Sequence, residues 1–161
     1  MQNLTSLGAA AGQLLRARGE TVAVSESSSA GLVSAALLSV PGASAYFLGG
    51  GVIYTAVARE VLLGINIDDH PGVRSASEAY ARLGALAIRD KLGATWGVAE
   101  TGASGPTGNR YGDRAGHTCI AIVGPVERVI TLETGSDDRE ANMWRFTERT
   151  LAEFEDALRS A

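Results

Sequence analysis

The sequence predicts a three-layer α/β/α fold on a mixed, mainly parallel sheet. Three observations predict it. Segments with helical spacing of apolar side chains alternate with short apolar runs of strand length through the first two thirds of the chain. Two of those runs lead directly into loops of small residues, at 25–31 and 101–106. Late in the chain, two apolar runs flank Gly124-Pro125 as an antiparallel hairpin does.

The elements follow in order. Residues 4–18 space Leu4, Leu7, Ala11, Leu14 and Leu15 on one helical side, with Arg16 and Arg18 near the negative end of the helix dipole and Gly19 as its stop. Thr21–Val24 is a short buried strand, and 25–31 a polar loop ahead of a helix over 32–39, which Val40-Pro41-Gly42 breaks. A short helix is expected over 43–48, and a second strand over 51–54 after three glycines. Thr55 is placed to cap a helix over 56–63, ended by Gly64, and Ser77 to cap a longer one over 78–92, ended by Gly93. Thr95–Ala99 is the third strand, 117–123 and 126–132 form the hairpin, and Asp137 opens a final helix reaching about Arg159. No repeat, low-complexity tract or linker interrupts the chain, so residues 1–161 are expected to form one domain.

Composition narrows the function. Of 161 residues, 45% are hydrophobic and 20% charged, which is a folding chain rather than a disordered one. No apolar run reaches the roughly 18 residues of a membrane span, and Met1-Gln2-Asn3 lacks the basic start of a signal peptide, so a cytoplasmic location is expected. A net charge of −4 with scattered arginines argues against nucleic acid. Cys119 has no disulfide partner and lies in an apolar run, and the two histidines show no zinc spacing. No cysteine or histidine spacing here suggests a metal site, and no cofactor is expected.

Three stretches carry candidate chemistry. Ser25-Glu26-Ser27-Ser28-Ser29-Ala30-Gly31 puts hydroxyls and amides between a strand and a helix, which suits a phosphate or carboxylate. Taken alone, a plain helix start with Ser27 or Ser28 as cap is the better account of it. Glu26 either orients a ligand or pairs with an arginine. Thr101-Gly102-Ala103-Ser104-Gly105-Pro106 follows another buried strand, where open α/β sheets bind ligands. Neither loop is a dinucleotide fingerprint or a P-loop. Pro41-Gly42-Ala43-Ser44-Ala45-Tyr46-Phe47, followed by Tyr54, holds a serine outside any nucleophile-elbow pattern, and the residues alone make Ser44 no more than a helix cap.

These strings, together with Val52-Ile53-Tyr54 and Gly135-Ser136-Asp137-Asp138-Arg139, resemble the successive signatures of the CinA C-terminal domain, a family of nicotinamide-nucleotide amidases. They stand in the family's order and spacing over about residues 4–158. The resemblance implies the same α/β/α fold and a homo-oligomer. It also implies hydrolysis of nicotinamide mononucleotide, a pyridine nucleotide, to nicotinic acid mononucleotide and ammonia. The family's serine nucleophile falls on Ser44 and its tyrosine on Tyr54. Its loops make Glu26, Ser27, Ser29, Gly31, Gly102, Ser104 and Gly105 candidates for substrate binding. Arg139 is the candidate for the phosphate, with a surface ion pair as the alternative.

One departure matters most. The family's lysine falls on Arg59, and the chain's single lysine, Lys91, ends the 78–92 helix. A serine hydroxyl needs a base to take its proton, which a buried lysine can be and a guanidinium cannot. Arg59 remains able to stabilise a Tyr54 phenolate or to bind phosphate. Other departures fall on the same region: Ser28, Ser29 and Ala30 stand where the family has cysteine, threonine and glycine. Gly72-Val73-Arg74-Ser75 brings a charge beside the site. Three functions stay open: this amidohydrolase, a nucleotide-binding module without turnover, and an amidase for another small amide.

Overall fold

Helix α1 (Leu4–Arg18) begins where Asn3 Oδ1 accepts from the Thr5 and Ser6 amides, and ends at Gly19, whose φ of 65° a side chain would resist. The structure, a computed structural model, describes residues 3–161. The other elements are β1 (Val22–Glu26), α2 (Leu32–Leu38), β2 (Phe47–Val52), α3 (Ala56–Ala58, continuing as one π turn through Arg59–Leu63), α4 (Glu78–Leu92), β3 (Trp96–Ala103), β4 (His117–Val123), β5 (Arg128–Glu133) and α5 (Arg139–Ser160).

One five-stranded sheet runs in the order β2-β1-β3-β4-β5. β1 pairs parallel with β2 and β3, whereas β4 pairs antiparallel with both β3 and β5. Four strands therefore point the same way and β4 alone runs back. Every residue of β4, and of β1, is buried, because helices cover both faces. Helices α1, α2 and α5 pack on one face against Val22, Val24, Trp96, Val98, Ile120 and Ile122. α4 and α3 cover the other, against Ala23, Ala99, Cys119, Ala121 and Val123. That is the α/β/α layering the sequence predicts.

Small residues set how closely the layers approach. A Cβ on Gly8 would lie 2.2 Å from the Ala36 carbonyl oxygen, so α1 and α2 cross in near backbone contact. A Cβ on Gly97 would lie 2.1 Å from the Ala85 oxygen, which is why α4 can sit directly on β3.

Besides shifts of one or two residues at β1 and β5, two regions depart from the sequence expectation. In place of a helix over 43–48 and a strand over 51–54, a 3₁₀ turn at Ala43–Ala45 leads into β2 at Phe47. The Tyr46 carbonyl takes the Val22 amide at 2.8 Å and starts the pairing. The glycines lie inside the strand because α2 crosses it closely: a Cβ on Gly50 would lie 2.7 Å from Ser34 Oγ. Strand β3 also extends past Ala99 to Ala103, since its antiparallel register with β4 continues to Ala103 opposite His117.

Candidate functional site

The sheet order creates a crevice between β1 and β3. The chain leaves β1 toward β2 on one side and returns to β3 on the other, so the loops after the two strands part at their carboxyl ends. The 27–31 loop, the end of β3 and the 104–108 loop flank that crevice, with 53–59 and 75–80 beside it.

The serine loop is held by the protein's own carboxylates. Glu26, 0% exposed, accepts the amides of Gly31, Val33 and Ser34 at 3.0, 3.1 and 2.8 Å, and so caps α2 in place of Ser27 or Ser28. Glu100, 2% exposed, accepts the amides of Ser27 and Ser29 at 3.1 and 2.8 Å, and hydroxyl bonds from Ser28, Ser29 and Thr118. Ser29 Oγ reaches both carboxylates, at 2.7 and 2.9 Å. Most of the donors that the sequence offered to a ligand are thus engaged internally, while Ser27 and Ser28 also border the cavities. Glu26, Ser29 and Gly31 support the wall of the crevice and line no cavity in it, and Glu26 meets no arginine.

Two adjoining cavities open at this end. The inner one, about 310 Å³, is bounded by Ser27, Tyr54, Arg59, Ser75, Tyr80 and Tyr111. The outer one, about 230 Å³, is bounded by Ser28, Gly102, Ser104, Gly105, Asn109 and Arg139. Tyr54, Gly102 and Asn109 line both. Gly102 is required there: a Cβ would lie 2.2 Å from the His117 oxygen across the β3–β4 pairing. A larger open groove of about 440 Å³ runs between β5 and α5, away from every residue the motifs single out. Among the described residues, no group of three His, Cys, Asp or Glu side chains is placed to hold a metal ion.

Tyr54 is 66% exposed and forms the rim between the cavities. Its hydroxyl accepts a bond from Arg139 Nη2 at 3.3 Å, and Arg139 Nη1 donates to the Gly105 carbonyl. Arg139 therefore lines the outer cavity, and among the described residues no ion pair involves it; the guanidinium bonded to the Tyr54 hydroxyl is Arg139. Arg59 opens the π turn of α3 and is 8% exposed. Its Nη1 donates to Ser75 Oγ at 3.3 Å, its guanidinium carbon lies 5.8 Å from the Tyr80 ring centre, and its Nε has no hydrogen-bond partner. Among the described residues, no carboxylate lies within ion-pair distance of it.

Ser44 lies elsewhere. It is exposed in the 3₁₀ turn before β2, at the amino end of a strand whose carboxyl end leads to Tyr54. A six-residue strand spans about 20 Å, so one copy of the chain does not bring Ser44 to Tyr54 and Arg59. Lys91 is exposed near the end of α4, as a solvated charge should be.

The remaining walls are fixed by charge. Arg74 is satisfied: it grips Asp113 at 2.7 and 3.1 Å and donates to the Ser75 and Ala76 carbonyls. That contact, ahead of smaller help from Asn109 and His117, holds the Asp113 carboxyl below its usual range. Burial pushes the Tyr80 hydroxyl up, and Arg59 opposes it. The bond from Arg110 lowers Tyr111. His117 is buried, with Nδ1 on Glu133 and Nε2 2.8 Å from the Ala76 carbonyl. Burial opposes its charge, but Glu133, Ala76 and Asp113 together outweigh burial and raise its pKa. Ala76 itself sits at φ 55°, an unusual backbone for a residue with a side chain, and so turns the 75–76 segment against the inner cavity. Tyr80 carries no signal in the sequence as a wall residue, whereas Ser75, Asn109 and Tyr111 lie in the 72–75 and 107–114 stretches that depart from the family pattern; the fold brings all four to the crevice.

Comparison with known proteins bears on the same residues. The sequence pattern of the CinA C-terminal domain matches residues 4–158. A CinA-like protein of Prochlorococcus marinus (strain MIT 9313) is 42% identical over 120 residues, covering 74% of this chain and 28% of that protein. A CinA-like protein of Picosynechococcus sp. is 39% identical over 138 residues, covering 84% of this chain and 33% of that one. The chain thus spans about a third of the length of the curated relatives it matches. Among solved structures, a competence-damaged protein (CinA) superfamily protein of Klebsiella pneumoniae superposes with a TM-score of 0.91 at 24% identity, over 99% of this chain and 100% of that one. A competence/damage inducible protein of Agrobacterium tumefaciens superposes with a TM-score of 0.88 at 24% identity, over 99% and 97%. These two likenesses concern the fold.

Proposed function

Because the chain belongs to the CinA C-terminal domain family, we propose that it is an amidohydrolase-type protein for nicotinamide mononucleotide, converting the carboxamide to the acid with release of ammonia. The observation that carries this reading is the meeting of Tyr54, Arg59 and Arg139 on two joined cavities at the carboxyl ends of the parallel strands. The outer cavity, with Arg139 and the small residues 102–108, suits a phosphate. The inner one, walled by tyrosines, suits the flat pyridine ring with its carboxamide toward Arg59.

In the reaction, a serine oxygen attacks the carboxamide carbon, its proton passes by way of the Tyr54 hydroxyl to the nitrogen that leaves as ammonia, and water then releases the acid and restores the serine hydroxyl. Arg59 holds developing negative charge on the amide oxygen but takes no proton. The missing base lowers the rate by about 10²–10⁴-fold. Ser44 joins this site only from a second copy of the chain. β2 is an edge strand, and residues 40–58 carry no charge that would oppose self-pairing. Leu48, Val52, Val57, Val61 and Leu62, along and beside that edge, are all exposed. A two-fold antiparallel pairing that sets Leu48 against Val52 of the partner returns the partner's Ser44 toward Tyr54. This arrangement fits the homo-oligomer expected from the resemblance.

The test is ammonia release from nicotinamide mononucleotide by the purified protein, with Ser44→Ala and Arg59→Lys alongside. Slow release, abolished by Ser44→Ala and raised by Arg59→Lys, is the expected result. No release from the wild type or from Arg59→Lys sinks the substrate assignment.

A further inference from the structure

Arg59 presents a problem that the protein alone does not solve. An arginine that is 8% exposed as a residue is largely removed from water, and such a group is ordinarily repaid by a carboxylate or by a full set of hydrogen bonds. Arg59 has one serine hydroxyl at 3.3 Å, the ring and hydroxyl of Tyr80, and an Nε with nothing to donate to. The nearby acids are committed elsewhere: Glu26 and Glu100 to the serine loop, and Asp113 to Arg74 and Asn109. The unpaired charge borders a cavity of about 310 Å³ that opens to ligand. The chemistry that complements this wall is that of an anion.

We propose that the inner cavity is a carboxylate site, in which Arg59 pairs with the acid group of a flat ring, so that the protein holds the acid product more tightly than the carboxamide substrate. The shared chemistry at Arg59 is an oxyanion. Tyrosine walls select a ring-borne carboxylate over a compact inorganic ion, because Tyr54, Tyr80 and Tyr111 offer aromatic surface where a phosphate alone would use none. A carboxylate accepts two parallel N–H bonds from the planar fork, whereas a carboxamide offers one acceptor and sets its own N–H donors against a donor-only group. A lysine at this position would supply a point charge without the fork. The consequence is a protein that retains its product, and so reads the level of the aromatic acid nucleotide as much as it makes it. The assignment of the ligand to pyridine nucleotides rests on the function proposed above, while the preference for acid over amide rests on Arg59.

Titration calorimetry with nicotinic acid mononucleotide and nicotinamide mononucleotide, and ligand-observed NMR with free nicotinate, free nicotinamide and inorganic phosphate, separate the two. The acid mononucleotide is expected to bind at least tenfold more tightly than the amide, with the gap closing in Arg59→Gln and shrinking in Arg59→Lys. Preference for free nicotinate over nicotinamide without mononucleotide binding sustains the carboxylate site and sinks the pyridine-nucleotide reading. Equal affinity for acid and amide in the wild type overturns the inference and needs no variant that must fold. So does a preference that survives Arg59→Gln, or phosphate as the single anion bound.

Discussion

Replacing Glu100 should unfasten the crevice wall, and the size of the effect follows from what its carboxylate receives. Glu100→Ala leaves the amides of Ser27 and Ser29 without an acceptor in a region where the side chain was 2% exposed. Each orphaned buried donor costs about 1–3 kcal/mol, so the pair costs about 2–6 kcal/mol. The hydroxyls of Ser28, Ser29 and Thr118 add less, because they can turn; Thr118 already has the Thr101 carbonyl at 3.1 Å. Glu100→Gln keeps one oxygen. Placed toward the two amides, it serves both, and its NH₂ then faces the Ser28 and Thr118 oxygens, which can accept. The glutamine also removes one of two buried carboxylates that share the Ser29 hydroxyl. Its cost should stay below about 2 kcal/mol. Urea unfolding of the three proteins measures the differences. If Glu100→Ala lies within about 1 kcal/mol of the wild type, or Glu100→Gln is as damaging as alanine, the assignment of Glu100 as the fastener of the serine loop is wrong.

Further expectations come from the same network. His117 has a raised pKa in the folded state, so its stabilisation is complete below the unfolded value near ~6.5 and is lost as pH rises through the folded one. The stability gap between wild type and His117→Gln should therefore narrow from about pH 6 upward; a gap independent of pH contradicts the Glu133–His117–Ala76 arrangement. Asp113 is shifted the other way, so its contribution is present above about pH 4 and is lost as pH falls through the depressed folded value. Asp113→Asn should remove about 1 kcal/mol at neutral pH, a figure kept small because Arg74 is 38% exposed, and should flatten the acid loss seen in urea midpoints. Gly97→Ala drives a Cβ to 2.1 Å from the Ala85 oxygen, which overpacks the α4–β3 contact by about 1–3 kcal/mol and lowers Tm by about 2–12 °C. An unchanged melting curve would mean that α4 does not press on β3 as described.

The sequence disclosed the fold where local patterns carry it. The boundaries of α1 and α4 are marked by Asn3 and Gly19, and by Ser77 and Gly93, which act through their own backbone and side chains. β2 was misplaced because Leu48-Gly49-Gly50-Gly51 has no alternation to read; it is a strand because β1 and α2 leave room for little else. Of the candidate side chains legible in the sequence, Tyr54, Arg59 and Arg139 line the joined cavities, whereas Ser44, Glu26, Ser29 and Gly31 do not. What could not be read was direction. Nothing local says that Glu26 and Glu100 turn inward to take the loop amides, or that Ser44 and Tyr54 sit at opposite ends of one strand.

A crystal structure of the protein soaked with nicotinic acid mononucleotide tests the central claim most directly. Density for the phosphate beside Arg139, with the pyridine ring between Tyr54 and Tyr80 and its carboxylate on Arg59, is the predicted result. Ligand density in the groove between β5 and α5, or a crevice in which Arg59 stays unpaired beside a bound nucleotide, would contradict it.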